Sequence, residues 1–332
     1  MRPDLRSGGL TRCVMFLAGA AALIAITINA GMEPVLRALA VLKLSGLAII
    51  TLLHLPVIVL MGLAWWFVGR ATPQARATAF VMARLARDAI AEVLPFSQLG
   101  GFVGGVRLLV LTGSRALEAT LAMLADLMAE FSAKLVYTLA GLAILAWLLP
   151  HAQLLRPFSL ALTGAFLVFG LLLLWRRQFR SALNRLTLWV LHKYAPSNPG
   201  GLVEQDVARV FAPKYVLPSL LLHGLCWLLG AGEAWVTLRL MGMDASLGQA
   251  LVIDSLGTAF RTLGFLVPSA LGVQEAGYVI VSALFGISPA GAVAFSLARR
   301  ARDILIGAAG LGVWQTLEVH KASFRQSGSA KL

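Results

Sequence analysis

Charged residues recur at helical spacing inside apolar segments of this chain. Asp126, Glu130 and Lys134 follow one another at intervals of four residues, so they line one face of a helix. Arg299 and Asp303 have the same spacing. A charge at membrane depth costs roughly 2.5–3.5 kcal/mol on insertion scales. Such side chains are therefore expected either to pair with one another or to hold a polar ligand.

Two interpretations of these charged stripes stay open. In the first, the charges pair within one helix, as Arg299 and Asp303 could do across one turn. In the second, both stripes face one central polar cavity, where acidic residues of one half meet basic residues of the other. Further charges inside apolar segments are Arg84, Glu92, Asp254 and Arg300. The cavity hypothesis assigns the substrate contacts to Arg87, Asp88, Arg107, Asp126, Glu130, Arg261, Gln274, Glu275, Arg299, Arg302 and Asp303.

Two interrupted apolar segments resemble each other at a separation of 173 positions. The first runs through Leu94–Gly101 and the second through Val267–Glu275, so that the prolines of the two segments align. Broken hydrophobic segments at matching places in two halves are typical of the central site of a transporter. The predicted breaks in the two segments are Pro95, Gly100, Gly101, Pro268 and Gly272.

The breaks predict half-helices that begin inside the broken segments. Proline removes a backbone donor and forces the preceding residue out of the helical region. New helix N-termini are expected near Phe102 and near Gln274, where free N–H groups could face a headgroup or a phosphate. The alternative is that the glycines only let helices pack closely. The sequence leaves binding and packing equally open.

Composition places the chain in a membrane. Apolar residues make up 59% of the chain and charged residues 13%, against about 25% charged residues in soluble domains. These values, with a mean hydropathy of +0.83, predict an all-α integral membrane protein. The net charge of +13 does not predict a nucleic-acid partner, because lysine and arginine accumulate in cytoplasmic loops and beside anionic lipids.

No motif for an enzyme, a metal or a cofactor is present in the sequence. The two cysteines, Cys13 and Cys226, lie in apolar runs, and the five histidines are scattered without metal-ligand spacing. We therefore expect packed or interfacial histidines. The chain has no P-loop and no Gly-x-Ser-x-Gly turn. We predict that it has no catalytic residues, no bound metal and no cofactor.

The apolar stretches predict about six transmembrane helices, since one span needs about 20 residues. The third stretch is long enough to cross twice, but one crossing keeps the basic segment Arg176–Arg180 on the cytoplasmic side, as the positive-inside rule favours. Both termini are then cytoplasmic. The predicted spans are Cys13–Ala30, Leu44–Val68, Arg115–Leu149, Pro157–Trp175, Val216–Leu240 and Pro289–Gln315.

With six crossings, the two broken segments become re-entrant helical hairpins. These hairpins, Ala77–Gly113 and Leu247–Gly286, would enter from opposite faces and form an inverted repeat. The whole chain, 1–332, is predicted to be one polytopic membrane domain with repeat cores at 77–149 and 247–317. The segment 176–214 is predicted to be cytoplasmic, with an amphipathic first part on the membrane surface.

The second half carries the motifs that resemble a known family. Pro268–Gly286, the run Ser296–Asp303 and the run Gly310–Gln315 resemble the transmembrane, or flippase-like, region of lysylphosphatidylglycerol synthases. The first-half pattern Leu94-Pro95, Gly100-Gly101 and Arg107 supports the same family. The resemblance covers nearly the whole chain. More specifically, the chain resembles the branch of this family that is associated with hopanoid biosynthesis.

The resemblance implies a bacterial inner-membrane protein with paired re-entrant hairpins that handles or moves lipids. The best-known members carry a cytosolic aminoacyl-transferase domain. Residues 1–332 show no such domain, so lipid aminoacylation is not expected. We expect a transporter of hopanoids or related polar lipids. One alternative is a scaffold that binds hopanoid-biosynthesis proteins through Arg176–Lys193. A weaker alternative is a lipid-modifying enzyme that uses Glu130 or Glu275 as acid or base.

Overall fold

The computed structural model describes most of the chain in five long ranges. Its backbone covers residues 5–71, 76–93, 97–150, 164, 200–264 and 267–329. Side chains are described for 17–71, 76–92, 100–150, 164, 205–264, 267 and 269–316. Within these ranges every regular element is helical, which confirms the all-α prediction.

Ten α-helices and one short 3-10 turn make up the regular structure of the described ranges. The first six helices are α1 (Leu5–Ala30), α2 (Met32–Gly69), α3 (Ala77–Val93), α4 (Ser97–Leu111), α5 (Ala116–Leu148) and α6 (Gly200–Val210). The remaining helices are α7 (Pro213–Leu240), α8 (Leu247–Leu263), α9 (Val273–Ala283) and α10 (Pro289–Ser329), with the 3-10 turn at Pro268–Ala270 between α8 and α9.

Three described helices, α2, α5 and α7, are long and apolar enough to span a membrane. They contain three of the predicted spans. The stretch predicted at Arg115–Leu149 forms one unbroken helix, Ala116–Leu148, which agrees with a single crossing rather than two. Part of α1, Leu17–Ala30, forms a shorter apolar helix. The span predicted at Pro157–Trp175 lies outside the described residues, and the total of six spans stays a prediction.

The last predicted span, Pro289–Gln315, lies in α10, which is continuous through it. This helix is not among the three apolar spans of the described chain. The reason is charge, since Arg299, Arg300, Arg302 and Asp303 fall within five consecutive residues of the predicted span. A helix with that many charges is stable at membrane depth only where protein or water faces it.

The two predicted hairpins have the bounds that the sequence indicated. The first begins at the start of α3 and ends just before Gly113, which has a φ of +110°. The second begins at the start of α8 and ends just before Gly286, which has a φ of +74°. Helices α3 and α8 have 17 residues each, or about 26 Å. Each is thus slightly short for the roughly 30 Å hydrocarbon core. Re-entry from opposite faces stays a prediction.

Glycines pack the two helices of each hairpin against each other. A Cβ atom on Gly101 would lie 2.5 Å from the Arg87 carbonyl oxygen, and one on Gly277 would lie 2.5 Å from Phe260 Cβ. These positions admit no larger residue without movement of a neighbour. At these glycines the packing interpretation is confirmed.

One predicted helix start is wrong and the other is confirmed. Helix α4 already begins at Ser97, so Gly100 and Gly101 lie inside it and no helix starts near Phe102. The glycines were interpreted as a break because glycine disfavours helices, but close packing on α3 compensates for that cost. Pro95 lies outside the described residues. In the second half α9 does begin beside Gln274, directly after Gly272, whose φ is +78°.

The correspondence between the halves extends to single backbone hydrogen bonds. Before α5, Ser114 N–H donates to Leu109 O at 3.0 Å, and 173 positions later Ile287 N–H donates to Ser282 O at 3.2 Å. Helices α5 and α10 begin 173 positions apart as well. In each half a long helix is followed by a hairpin and a second long helix, so the two halves have the same helix order.

The two halves meet along α2 and α7, which run antiparallel. A Cβ on Gly46 would lie 3.8 Å from Leu240, while further along Cys226 Sγ lies 3.7 Å from the Val57 carbonyl oxygen. The last helix of each half packs on the hairpin of the other, α10 on α3 and α5 on α8. Each hairpin is thereby held by both halves of the protein. If α2 and α7 both span the membrane, the repeat is inverted.

Candidate functional site

The first group of charges joins α3, α5 and α7. We call it the first-half cluster. Arginines of α3 lie between carboxylates of α3 and α5, and a histidine of α7 closes the group. Its members are Arg84, Arg87, Asp88, Asp126, Glu130 and His223.

Paired hydrogen bonds hold this cluster together. Arg84 donates to both carboxylate oxygens of Glu130, at 3.0 and 3.1 Å, and its Nε donates to Asp88 at 2.7 Å. Arg87 donates to Asp126 at 3.1 Å and to Glu130 at 2.8 Å. The fork geometry of guanidinium on carboxylate is the strongest form of such pairs. The cluster therefore ties α3 firmly to α5 within the first half.

His223 completes the cluster from α7. Its Nε2 lies 2.9 Å from Asp126 Oδ1, while its Nδ1 is buried with no hydrogen-bond partner. Asp126, Glu130 and His223 offer ligand atoms within 4.8 Å of one another, as a metal site would require. The two carboxylates already accept bonds from Arg84 and Arg87, and a cation would have to displace those guanidinium groups. The arrangement fits an ion-pair cluster better than a metal centre.

The second group of charges lies where the two hairpins meet. We call it the tip cluster, because it joins the end of α3 to the ends of α8 and the 3-10 turn. Its members are Glu92, Arg261, Ser269, Gln274, Glu275, Ser296, Arg300 and Asp303.

Arg261 is the centre of the tip cluster. It pairs with Glu92 of the other half, donates to Gln274 Oε1 at 3.1 Å and lies 3.9 Å from Asp303 Oδ2. Ser269 Oγ adds a second bond between the halves by donating to the Glu92 carbonyl oxygen at 3.2 Å. The tips of the two hairpins are thus joined by one ion pair and one hydrogen bond.

Glu275 organises the break between α8 and α9. It accepts a bond from the Gly272 N–H at 2.8 Å, which caps α9, and bonds from Ser296 at 2.9 Å and Arg300 Nε at 2.6 Å. Arg300 also donates to the Ser269 carbonyl oxygen at 3.1 Å. The free N–H groups expected at this helix start are therefore partly taken by a side chain of the protein itself.

Two further pairs connect the tip cluster to the rest of the protein. Asp303 accepts from Arg302 at 2.7 Å, Arg302 pairs with Glu233 of α7, and Glu233 lies 2.7 Å from His54 of α2. Separately, the Tyr137 hydroxyl donates to Asp254 at 2.8 Å across the two halves, and Asp254 also pairs with Arg299. These contacts use α2, α5 and α7 to brace the charged helix α10.

The structure distributes the predicted site residues over these groups. Arg87, Asp88, Asp126 and Glu130 lie in the first-half cluster, while Arg261, Gln274, Glu275 and Asp303 lie in the tip cluster. Arg299 and Arg302 lie beside the tip cluster, and Arg107 is exposed on α4. Their role in binding a substrate stays a prediction.

Neither interpretation of the charged stripes describes the whole pattern. Asp126 and Glu130 bind arginines of their own half, and Asp126 also contacts His223 of the second half. Arg299 binds Asp254 and not Asp303. A meeting of opposite charges across the halves does occur, at Glu92 and Arg261. Spacing along one helix could not show this, because the partners come from neighbouring helices.

The candidate list lacked several residues of these groups. Four of them, Arg84, Glu92, Asp254 and Arg300, were noted only as charges inside apolar segments. The others are His54, Tyr137, His223, Glu233, Ser269 and Ser296. Glu233 had a usable signal, since it is the one acidic residue of the apolar helix α7. The two histidines were expected to be packed side chains. They are largely buried, but each one contacts a buried carboxylate.

Several charged groups of the two clusters are partly exposed. The arginines of the first-half cluster are each 5% exposed, whereas Asp88 and Glu130 are 32% and 17% exposed. In the tip cluster Arg261, Glu92 and Asp303 are 21%, 16% and 16% exposed. A ligand that approached these groups would meet mainly carboxylates, together with one accessible guanidinium group.

Comparison with known proteins identifies the family of the chain. The family model for the lysylphosphatidylglycerol synthase TM region matches residues 13–310, which is most of the chain. No curated protein and no solved structure matches the chain. With its apolar helices and its charged, broken hairpins, the chain is a membrane protein that belongs to the lysylphosphatidylglycerol synthase transmembrane family.

Proposed function

We propose that this protein moves polar lipids between the leaflets of a bacterial inner membrane. The family relates the chain to lipid handling, and the narrower resemblance in the second half suggests hopanoids or related polar lipids as cargo. The headgroup would pass the tip cluster, while the hydrocarbon part stays in the surrounding lipid. The observation that carries this proposal is the partly exposed set of Glu92, Arg261 and Asp303 where two broken-helix hairpins meet.

The backbone around the tips supports this placement. Irregular backbone at membrane depth is tolerated only where protein buries it or water reaches it. Ser269, Ala270 and Gly272 all have positive φ, at 53°, 48° and 78°, next to charged groups that are partly open. Transporters of several folds place their central sites at such interrupted helices. An irregular segment beside partly exposed charges, between the two halves, is suited to bind a headgroup.

The scaffold alternative has less support among the described residues. It assigns function to the basic segment Arg176–Lys193, which lies outside them. A scaffold also has no need for accessible charges between the hairpins, since pairs that only brace helices are stable when fully enclosed. We therefore favour transport, and cavity substitutions distinguish the two functions.

Leaflet exchange in proteoliposomes tests the proposal. The purified protein is reconstituted with fluorescent phospholipid and hopanoid probes, and exchange is compared with protein-free vesicles. We expect protein-dependent exchange. Its rate should fall about tenfold or more in Arg261→Gln and Arg299→Gln, because each variant lacks a charge proposed to contact the headgroup. A tenfold fall corresponds to about 1.4 kcal/mol.

The matched control is Arg37→Gln, which changes an arginine whose pair with Glu33, at 3.7 Å, is 71% and 81% exposed. That variant should keep wild-type exchange. Exchange equal to that of empty vesicles under every ion gradient, with correctly folded protein, would refute transport and favour the scaffold.

A further inference from the structure

The bond between Glu92 and Arg261 connects the two hairpins, which belong to different halves of the protein. Glu92 lies at the end of α3 and Arg261 at the end of α8, so the pair joins the first hairpin to the second. By contrast, Arg84 and Arg87 bind carboxylates of their own half. Any separation of the two hairpin tips must break the Glu92–Arg261 pair and the hydrogen bond from Ser269 to the Glu92 carbonyl oxygen.

Arg261 has a second set of acceptors within its own half. Asp303 lies 3.9 Å away and Gln274 accepts a bond at 3.1 Å. If Glu92 withdrew, the guanidinium group could move fully to Asp303 and remain paired. Arg261 thus has acceptors for two arrangements, one that joins the halves and one that does not. Such two-state contacts are the elements that ligands can shift.

The backbone beside this pair is strained and is held by specific bonds. Ser269 and Ala270 are two successive residues with side chains in the left-handed region, at φ of 53° and 48°. Such conformations are unfavourable and persist where surrounding contacts enforce them. Arg300 holds the Ser269 carbonyl, and the Ser269 hydroxyl holds the Glu92 carbonyl. Release of Glu92 would thus also release one of the contacts that maintain this conformation.

We propose that Glu92 and Arg261 form a latch between the hairpins, and that a zwitterionic lipid headgroup opens it by replacing each partner. The proposal rests on the transport function given above and adds the chemical class of the headgroup. The anionic group of the headgroup takes the place of Glu92 on Arg261. Its ammonium group binds the carboxylate of Glu92, which is then free of Arg261.

The argument for a zwitterion is the cost of an unpaired charge. Opening the pair leaves each charge without its partner, which disfavours opening unless a ligand supplies a replacement charge. A neutral polyol offers hydrogen bonds but no charge to either group. An anionic headgroup would serve Arg261 and leave Glu92 unpaired, next to Asp303 and Asp88. A headgroup with both charges satisfies both sides of the open latch.

A cysteine at the latch measures its opening independently of transport. Ser269→Cys is introduced into a chain in which Cys13 and Cys226 are replaced by alanine, and labelling by a water-soluble thiol reagent is followed in lipid nanodiscs. The host lipid carries a phosphoethanolamine, a phosphoglycerol or an uncharged polyol headgroup. We expect labelling to be about tenfold faster with phosphoethanolamine than with the polyol. This factor corresponds to a difference of roughly 1.4 kcal/mol in the free energy of opening the latch.

Two further variants make the result specific to the ion pair. Glu92→Gln should make labelling fast in all three lipids, because no ion pair remains to be opened. Arg37→Gln, on the exposed surface of α2, should keep the dependence on the headgroup. Equal labelling rates in the three lipids for the chain with Glu92 intact would overturn the latch.

The same nanodisc and vesicle preparations separate this proposal from transport itself. If labelling depends on the headgroup but no probe lipid changes leaflet, the latch stands and the transport proposal is wrong. If probes exchange at equal rates whatever their headgroup, and labelling is unchanged, transport stands and the latch is wrong.

Discussion

The first-half cluster and the tip cluster use the same residue types in different ways. In the first-half cluster two nearly buried arginines fork onto carboxylates of the same half, and their bonds join α3 to α5. In the tip cluster a partly exposed arginine is shared among three acceptors, and one of them, Glu92, belongs to the other half. The comparison indicates that the first cluster fixes a helix pair and the second can change partners.

The backbone follows the same division. Around Arg84 and Arg87 the chain is regular helix, and glycines bring α4 close to α3. Around Arg261 the chain is interrupted by a 3-10 turn and by three residues of positive φ. Regular helix with saturated ion pairs has few alternative arrangements of similar energy. An interrupted segment with surplus acceptors has several, which is what a site of movement requires.

Arg84→Gln should have the largest effect on stability among the changes considered. Loss of the guanidinium group leaves the carboxylates of Asp88 and Glu130 without their forked partner, and such a loss costs about 3–5 kcal/mol at a buried pair. We expect a lower thermal midpoint and a reduced yield of monodisperse protein in detergent. Arg37→Gln provides the control. A midpoint within 1 °C of wild type would show that the first-half cluster does not hold the fold.

Gly272→Ala should have the next largest effect, and it has a matched partner in Gly113→Ala. Both glycines have positive φ, at 78° and 110°, but a Cβ at Gly272 would lie 2.6 Å from Ala22 Cβ, whereas nothing lies within 4 Å of one at Gly113. Backbone strain alone costs about 1–3 kcal/mol, and the contact with α1 adds to it at Gly272. Thermal unfolding of both variants should therefore show the larger loss for Gly272→Ala. Equal losses would mean that α1 moves aside freely.

The sequence predicted the bounds of the helices better than it predicted the contacts between side chains. The hairpin bounds, the single helix at Arg115–Leu149 and the start of α9 beside Gln274 followed from turn residues and hydrophobic length, which are local properties. The helix start near Phe102 was wrong, because the glycines of α4 serve packing against α3, a neighbour that local rules do not see.

The same limit applies to the site. Spacing identified Asp126, Glu130 and Arg299 as charges that share a helix face, but their partners lie on other helices. Tyr137 was missed because an aromatic residue in an apolar helix gives no sign of the carboxylate that it binds. Partner choice is a property of helix packing, and it needs the three-dimensional arrangement.

Tyr137→Phe tests a connection between the halves that does not depend on an exchange of ion pairs. The change removes one hydrogen bond to Asp254, at 2.8 Å, while the pair of Asp254 with Arg299 remains. A single buried hydrogen bond contributes about 0.5–1.5 kcal/mol, so a modest fall of the thermal midpoint is expected. Lipid exchange should stay within about twofold of wild type. A loss of exchange as large as that of Arg299→Gln would place Tyr137 in the transport path itself.

Arg261→Gln should have the smallest effect on stability and thereby separates the two clusters most sharply. The arginine is 21% exposed, and partly exposed pairs contribute only about 0–1 kcal/mol. Its carboxylate partners can also be reached by water once the guanidinium group is gone. Thermal unfolding should be close to wild type, while leaflet exchange is lost. If Arg261→Gln instead destabilises the protein as much as Arg84→Gln does, the tip cluster is a structural brace like the first-half cluster. The two clusters would then differ only in their position. An arginine that the fold needs for its stability cannot exchange its partners each time a lipid is moved.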